Sequence, residues 1–226
     1  MKYPILLFDL DDTILDTKTN AEKALKKMSS IVDFPFNQQQ LLYWHQLNDK
    51  LWEKFEKKEL TRDELLILRF KLYFDHFNKK VDAKKFNQTY LRLLKEEITL
   101  IPSAKEVISN LSQTRRIFAV SNGTKEKQFS QLSQAHLIDN FEKLFLSEDI
   151  GYQKPDPNFF KVVLDDLDVD KSETLVIGDS LTADISGANL SNIDSVWFNP
   201  TENNNKTDFK PTFEIKNLPQ LEKILN

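Results

Sequence analysis

Three carboxylates follow a short apolar run near the start of the chain. Residues Ile5 to Phe8 lead directly into "DLDDT", which contains Asp9, Asp11 and Asp12. Acids this close together repel one another, so they need a bound cation, a solvated turn or both. Hard carboxylate oxygens are the ligands that Mg²⁺ prefers in proteins. The sequence therefore favours a divalent cation at the end of a buried strand.

Further residues able to do chemistry follow later apolar runs. The "SNGT" segment, residues 121–124, offers a hydroxyl and precedes a predicted helix whose first N–H groups can hold an anion. The "GDSLTAD" segment adds Asp179 and Asp184, and "GYQKPDP" adds Lys154. A lysine complements a phosphoryl oxygen and offsets repulsion among carboxylates. Together these residues predict one site for a cation, an anion and a nucleophile.

Short apolar runs alternate along the chain with patterns typical of helices. The runs have the composition of parallel strands buried on both faces, and they cover residues 5–8, 117–120, 175–177 and 196–198. The helical patterns cover residues 103–111, 125–132, 157–167 and 183–190. This alternation predicts an α/β fold with a Rossmann-like doubly wound parallel sheet, in which ligands bind beyond the carboxyl ends of the strands.

The segment 17–100 interrupts this alternation. It has no glycine and a single proline, Pro35, and its apolar residues recur at helical spacing. We predict an all-helical cap domain over residues 17–100, inserted into a Rossmann-like catalytic core of residues 1–16 and 101–226. The aromatic residues of the insert are expected to pack in its core, although one or two could stack on a base. They include Trp44, Trp52, Phe55, Tyr73 and Phe74.

Bulk composition narrows the classes of function. Thirty-one Lys and Arg against 35 Asp and Glu give a formal charge of −4 without a basic stripe, so no nucleic acid polymer is expected as a partner. Cysteine is absent, and His45, His76 and His136 are too scattered to form a metal site. No stretch is long and apolar enough to cross a membrane. We expect a cytoplasmic protein, either a monomer or a homodimer.

The motifs together resemble those of the haloacid dehalogenase (HAD) superfamily of phosphohydrolases. The pattern D-x-D-x-T is met by Asp9, Asp11 and Thr13. Ser121, Lys154 and the "GDSLTAD" segment follow in the order that the family shows. Each piece is common by itself, but four in order on predicted strand ends are specific. The resemblance spans the whole chain, and the helical insert falls where the family carries its cap.

The resemblance implies a two-step phosphoryl transfer with Mg²⁺. Asp9 would attack phosphorus to form an aspartyl phosphate, which water would then release. Asp11 would act first as acid and then as base, with its backbone carbonyl on the metal. Ser121 and Lys154 would be the other catalytic residues. The implied metal-binding residues are Asp9, Asp11, Asp179 and Asp184, the last of them in or just behind the metal shell. The implied phosphate-binding residues are Thr13, Ser121, Asn122, Gly123 and Lys154.

Several chemistries of the superfamily stay open at this point. A dehalogenase would lack the second carboxylate, whereas Asp11 is present, and a phosphonatase with a cap lysine is disfavoured. A sugar phosphatase or a phosphomutase shares the motifs and is the alternative enzyme. A non-enzymatic phospho-acceptor module also clusters acids at strand ends and binds Mg²⁺. Such a module has no reason to carry a long helical insert.

The stretch of residues 121–160 is similar to a bacterial subgroup of nucleoside 5'-monophosphate phosphatases that often act on pyrimidines. A cap domain excludes bulk water and large substrates, which favours a small soluble phosphomonoester as the partner. We therefore expect a Mg²⁺-dependent 5'-nucleotidase.

Overall fold

One parallel sheet carries the residues singled out above. The computed structural model describes residues 2–225, and within them six strands form this sheet. The strands are Ile5–Phe8 (β1), Arg116–Ser121 (β2), Lys143–Leu146 (β3), Thr174–Gly178 (β4), Asp194–Phe198 (β5) and Phe213–Ile215 (β6). Their order is β3-β2-β1-β4-β5-β6, so β1 lies between β2 and β4. The chain winds outward from β1 in both directions, which confirms the predicted doubly wound fold.

The segment between β1 and β2 is helical. Its helices are Thr17–Lys27 (α1), Ser29–Val32 (α2), Gln38–Glu56 (α3), Arg62–His76 (α4) and Ala83–Leu94 (α5). Two of them begin at capping boxes, in which Asn37 pairs with Gln40 and Thr61 with Glu64. This insert is the all-helical cap domain of the predicted fold class.

The helical insert has an aromatic core of its own. Trp44 stacks on Phe70 with ring centroids 4.6 Å apart, and Tyr73 and Phe74 pack in the same buried cluster. Phe55 is buried in a smaller cluster, against which the partly buried Trp52 packs. These rings therefore stabilise the insert by burying apolar surface, as the helical spacing predicts.

The chain divides into two compact units, of which Thr17–Glu97 is the helical one. Residues 2–16 and 98–225 form the other unit. The boundary falls slightly before the predicted one at residue 100. The reason is that Asp16 N–H donates to the Thr99 carbonyl at 2.9 Å and Leu15 bridges to Leu100, so the returning chain already belongs to the sheet unit.

The remaining helices belong to the sheet unit. They are Ala104–Leu111 (α6), Lys125–Gln134 (α7), Ser147–Ile150 (α8), Pro157–Leu167 (α9), Ser186–Ser191 (α10) and Gln220–Leu225 (α11). Strand β1 is buried on both faces: Leu6 and Phe8 lie in one apolar cluster, and Ile5 and Leu7 in another. Alternate residues of a strand point to opposite faces, so one four-residue run contributes to both cores. Among the described residues, no helix combines the length and apolar character needed to cross a membrane.

Two local predictions need correction. Strand β3 is absent from the sequence-based assignment, because it is four residues long, lies at the sheet edge and begins with the exposed Lys143. The helix predicted over residues 183–190 instead starts as a π-helical turn, Leu181–Ile185, that continues into α10. Turns of this kind are frequent at functional sites, and this one carries Asp184.

Candidate active site

The predicted site residues follow the carboxyl ends of adjacent strands. Asp9 comes directly after β1, and its N–H donates to the carbonyl of Ile177 in β4 at 2.8 Å. Ser121 is the last residue of β2, and Asp179 comes directly after β4. Since β1 pairs with both of these strands, the sheet itself brings the three residues to one edge.

Lys154 lies at the centre of this edge and is only 2% exposed. Its ammonium donates to Asp184 Oδ1 at 2.6 Å, to Asp9 Oδ1 at 2.7 Å and to the Val120 carbonyl at 2.7 Å. These three bonds use all three protons of the ammonium. Lys154 therefore joins the acid after β1 to the acid in the π-helical turn.

Burial and neighbouring charges shift the pKa values of Asp9 and Lys154. Burial raises the pKa of Asp9 to about 7, although the charge of Lys154 lowers it; the charges of Asp184 and Asp11 raise it further. Burial also lowers the pKa of Lys154, but the carboxylates of Asp184 and Asp9 outweigh that effect and leave it above its ordinary value. The lysine is therefore a permanent cation among groups that compete for positive charge.

Three carboxylates converge at this point. One oxygen each from Asp9, Asp179 and Asp184 lies within 4.8 Å of the other two. Three acids share the single ammonium of Lys154, so the cluster carries an excess of acidic groups. Clustered hard oxygens with this acidic excess fit a divalent cation such as Mg²⁺. These three carboxylates are among the metal-binding residues that the sequence predicts.

The surroundings of this acid cluster fix two of its members. A Cβ on Gly178 would lie 2.2 Å from Asp184 Oδ2, so the strand end leaves no room for a larger residue. Asp184 Oδ2 accepts the N–H of Ser180 at 3.1 Å. The indole N–H of Trp197 donates to the Asp179 carbonyl at 2.8 Å. Backbone and side chains together therefore hold Asp179 and Asp184 in place.

Thr13 and Asn122 are bonded to other members of the site. Thr13 is fully buried, and its hydroxyl donates to Asp179 Oδ1 at 3.4 Å. The amide of Asn122 donates to the Lys154 carbonyl at 2.8 Å and accepts the Lys154 N–H at 2.9 Å. This two-way bond pins the loop that carries Lys154 against the end of β2. The Asn122 side chain thus helps to fix the position of Lys154.

Ser121 is 1% exposed and accepts two hydrogen bonds. The donors are the Gly123 N–H at 3.0 Å and the Gln128 amide at 3.0 Å. Both bonds use lone pairs of the hydroxyl and leave its own proton for another acceptor. In the same turn, the Lys125 N–H at the start of α7 donates to Glu148 Oε2 at 2.9 Å.

Asp11 is held by two residues that lie outside the predicted site. Lys127 forms an ion pair with Asp11 Oδ1, and the Gln128 amide donates to Asp11 Oδ2 at 2.6 Å. Both residues lie on α7 and are buried. A signal was available in the sequence: the inward face of α7 carries Gln128 and Gln131, where an ordinary core helix would carry apolar residues.

The sheet, the helical insert and the acid–lysine centre define a hydrolytic α/β enzyme of the HAD type, as the sequence motifs imply. The family described as haloacid dehalogenase-like hydrolase matches residues 6–198, and the chain belongs to that family. The prediction of an enzyme of this family is thereby confirmed.

Individual relatives agree with this assignment. The chain is 37% identical over its whole length to YfnB of Bacillus subtilis (strain 168), which is described as a HAD-hydrolase, and it covers 96% of that protein. It is 33% identical to the pyrimidine 5'-nucleotidase PynA of Streptococcus pneumoniae, over 98% of this chain and 94% of PynA. It is 25% identical to the pyrimidine 5'-nucleotidase YjjG of Escherichia coli, over 100% of this chain and 99% of YjjG. These matches confirm the resemblance to the bacterial nucleotidase subgroup.

The fold agrees as well. A crystal structure of YfnB from Bacillus subtilis bound to magnesium has a TM-score of 0.95 to this chain, at 36% identity and with 100% of both chains covered.

Proposed function

We propose that this chain is a Mg²⁺-dependent phosphomonoester hydrolase that acts through an aspartyl phosphate on Asp9, with nucleoside 5'-monophosphates as its substrates. The observation that carries the proposal is the buried carboxylate of Asp9, bonded to Lys154 and clustered with Asp179 and Asp184. A carboxylate in this setting combines a nucleophile with the positive charge that a transferring phosphoryl group needs.

Asp9 has one oxygen suited to attack. Among the described residues, its Oδ1 accepts the hydrogen bond from Lys154, and Oδ2 accepts none. We assign Oδ2 as the nucleophile toward phosphorus, which would displace the alcohol of the ester and leave an aspartyl phosphate. Water would then attack the same phosphorus and break its bond to Asp9 Oδ2, which releases inorganic phosphate and returns Asp9 as a carboxylate.

The metal-binding residues in this proposal are Asp9, Asp179 and Asp184, together with the Asp11 carbonyl. A bound Mg²⁺ would supply positive charge to the phosphoryl oxygens and favour the ionised form of Asp9. The burial that raises the pKa of Asp9 would otherwise favour its neutral form, which is a poor nucleophile.

The phosphate would be bound by groups around this acid centre. The free proton of the Ser121 hydroxyl would donate to one phosphoryl oxygen, and the Lys154 ammonium would offset charge on another. Thr13, Asn122 and Gly123 complete the proposed phosphate-binding set. Of these, Asn122 contributes by holding the Lys154 loop.

Asp11 is proposed as the general acid and base. It follows Asp9 by two residues, and its side chain is 30% exposed, so a leaving group could reach it. It would protonate the departing alcohol in the first step and take a proton from water in the second.

The choice of nucleotides is supported by PynA and YjjG, since both are named pyrimidine 5'-nucleotidases and both match over nearly the whole chain. We accordingly propose that pyrimidine nucleotides are preferred over sugar phosphates.

Phosphate release tests the proposal. The purified chain is given uridine and thymidine 5'-monophosphates, their purine counterparts, glucose 6-phosphate and an aryl phosphate, each with Mg²⁺ and with EDTA. We expect many turnovers that require Mg²⁺, with the highest kcat/KM on pyrimidine nucleotides. The matched variants are Asp9→Asn, which should be inactive, and Asp12→Asn, an adjacent acid outside the proposed machinery, which should keep wild-type activity.

The remaining outcomes have distinct meanings. Mg²⁺-dependent turnover without a nucleotide preference would reject the substrate and favour a general or sugar phosphatase. Interconversion of sugar phosphates without phosphate release would indicate a phosphomutase. A single phosphate bound per chain without turnover would indicate a non-enzymatic phospho-acceptor.

A further inference from the structure

Helix α7 presents two buried donors to Asp11, one to each carboxylate oxygen. Lys127, which is 8% exposed, pairs with Oδ1, and Gln128, which has no exposed surface, donates to Oδ2 at 2.6 Å. Long polar side chains lose considerable rotamer freedom when they are buried, so their burial needs a compensating interaction. Here that compensation comes from a residue to which the proposed mechanism assigns proton transfer.

Gln128 also joins two strands of the site. Its amide nitrogen donates to Asp11 Oδ2 beyond β1 and, at 3.0 Å, to Ser121 Oγ at the end of β2. An amide nitrogen carries two protons, so one group serves both acceptors. The orientation of the amide follows from the chemistry, because a carboxylate can only accept and the opposite orientation would set two oxygens against each other.

The backbone at Gly123 packs closely against the hydrogen bond between Gln128 and Asp11. An added Cβ on Gly123 would lie 2.0 Å from Gln128 Nε2 and 2.9 Å from Asp11 Oδ2. Any larger residue at position 123 would therefore displace the amide or the carboxylate. The turn after β2, the helix that follows it and the acid after β1 thus fit together as one unit.

We propose that Gln128 and Lys127 are positioning residues for Asp11, and that Gln128 also holds Ser121 in register with it. This inference rests on the proposed function, since it assigns the two residues a role in presenting the general acid to the leaving oxygen. Neither residue needs to touch the substrate.

The proposal predicts a dependence on the leaving group. A nucleoside 5'-alkoxide is a poor leaving group and needs a proton from a positioned acid, whereas an aryl oxide departs without one. Loss of positioning should therefore lower kcat/KM, which reports the first chemical step, far more for a nucleotide than for an aryl phosphate. A packing defect would lower both values alike.

The test compares kcat/KM on uridine 5'-monophosphate and on p-nitrophenyl phosphate, both with Mg²⁺. Gln128→Met keeps the length of the side chain and removes its donor. We expect a fall of ~10- to 100-fold on the nucleotide and less than ~3-fold on the aryl ester, within the range that general acid catalysis supplies. Lys127→Met should discriminate in the same direction, and Lys127→Arg should restore most of the loss.

Two reference variants frame the result. Lys125→Met removes an exposed lysine of the same helix that pairs with Asp149, so both kcat/KM values should stay at the wild-type level. Asp11→Asn removes the acid itself and should show the largest discrimination between the two esters. Should Gln128→Met fail to fold, Gln128→Glu keeps the size and polarity and turns the donor into an acceptor. It should discriminate at least as strongly.

The outcomes separate the two proposals. If Asp11→Asn discriminates between the esters while the Gln128 and Lys127 variants lose both activities equally, or lose neither, the positioning role is overturned and the proposed function stands. If Asp11→Asn shows no discrimination, the acid role fails and the positioning role fails with it. Parallel discrimination by all three residues supports the inference.

Discussion

Lys154→Met should destabilise the chain more than any substitution of a surface lysine. The ammonium of Lys154 forms ion pairs with the buried carboxylates of Asp9 and Asp184 and also donates to the Val120 carbonyl. Methionine fills similar space but offers no proton and no charge. Two buried carboxylates are then left facing each other without a cation.

The magnitude follows from the burial. Removing one partner of a buried ion pair costs about 3–5 kcal/mol, because the other partner stays desolvated and unpaired. Lys161→Met is the matched control on α9: Lys161 is 69% exposed and pairs with Asp165 on the surface. Such a pair contributes less than ~1 kcal/mol. We expect the two variants to differ by about 2–5 kcal/mol in free energy of unfolding.

The loss of stability in Lys154→Met should become larger as the pH rises. The pKa of Asp9 in the folded chain, about 7, lies above its ordinary 3.8, and loss of Lys154 would raise it further. A folded state that binds more protons than the unfolded state loses stability as pH rises through that interval. The deficit of Lys154→Met should therefore be smaller at mildly acidic pH, where Asp9 is largely protonated and the lost ion pair is the one with Asp184, and should grow toward mildly alkaline pH.

Urea unfolding in EDTA measures this deficit at both pH values. The double variant with Asp184→Asn adds a direct check, because removing one of the two acids should shrink the cost of losing the lysine. A Lys154→Met chain as stable as Lys161→Met, or a deficit that does not change with pH, would refute the account of the buried cluster.

Three further predictions concern other parts of the chain. Asp9→Asn should abolish phosphate release. In EDTA at neutral pH this variant should be at least as stable as the wild type, because burial of the charged carboxylate is unfavourable. A marked loss of stability in urea unfolding would contradict this expectation. Gly178→Ala should lower the free energy of unfolding by about 1–3 kcal/mol and weaken Mg²⁺ binding, because the added Cβ would overlap Asp184. An unchanged Mg²⁺ affinity in calorimetric titration would contradict this expectation. Thr61→Ala should remove the capping box of α4 at a cost of about 1 kcal/mol with no change in kcat, so a change in kcat without loss of stability would speak against a purely structural cap.

Much of the sheet could be predicted because its signals are local. Strand β1 is an apolar run with an abrupt acidic end, and the structure begins and ends it at the predicted residues Ile5 and Phe8. The α9 helix starts at Pro157, a favoured first position, and ends at Leu167, also as predicted. Strand β3 escaped prediction because an edge strand is half solvated and gives a weak apolar signal.

The sequence could predict only those contacts of the site that follow from the order of the strands in the sheet. Asp9, Ser121 and Asp179 meet because β1, β2 and β4 are neighbours, which topology rules anticipate. The bridge from Gln128 to Asp11 depends on how α7 packs on the sheet, and no local pattern encodes that contact. The Asn122 amide is a similar case: the motif predicts a phosphate-binding residue, and no local pattern encodes the two bonds between its side chain and the backbone of Lys154.

The proposed mechanism depends on a covalent intermediate on Asp9, which chemical trapping can detect. The Asp11→Asn variant is mixed with p-nitrophenyl phosphate, whose leaving group needs no acid, and with Mg²⁺; it is then quenched, reduced with borohydride and digested for mass spectrometry. The first step should proceed on this aryl ester, whereas the second step should be slowed because the general base is missing. Borohydride converts an acyl phosphate of aspartate to homoserine. The proposed mechanism gives homoserine at position 9 only when the aryl phosphate and Mg²⁺ are both present. Unmodified Asp9 in a variant that still releases phosphate, or homoserine at another aspartate, would contradict it.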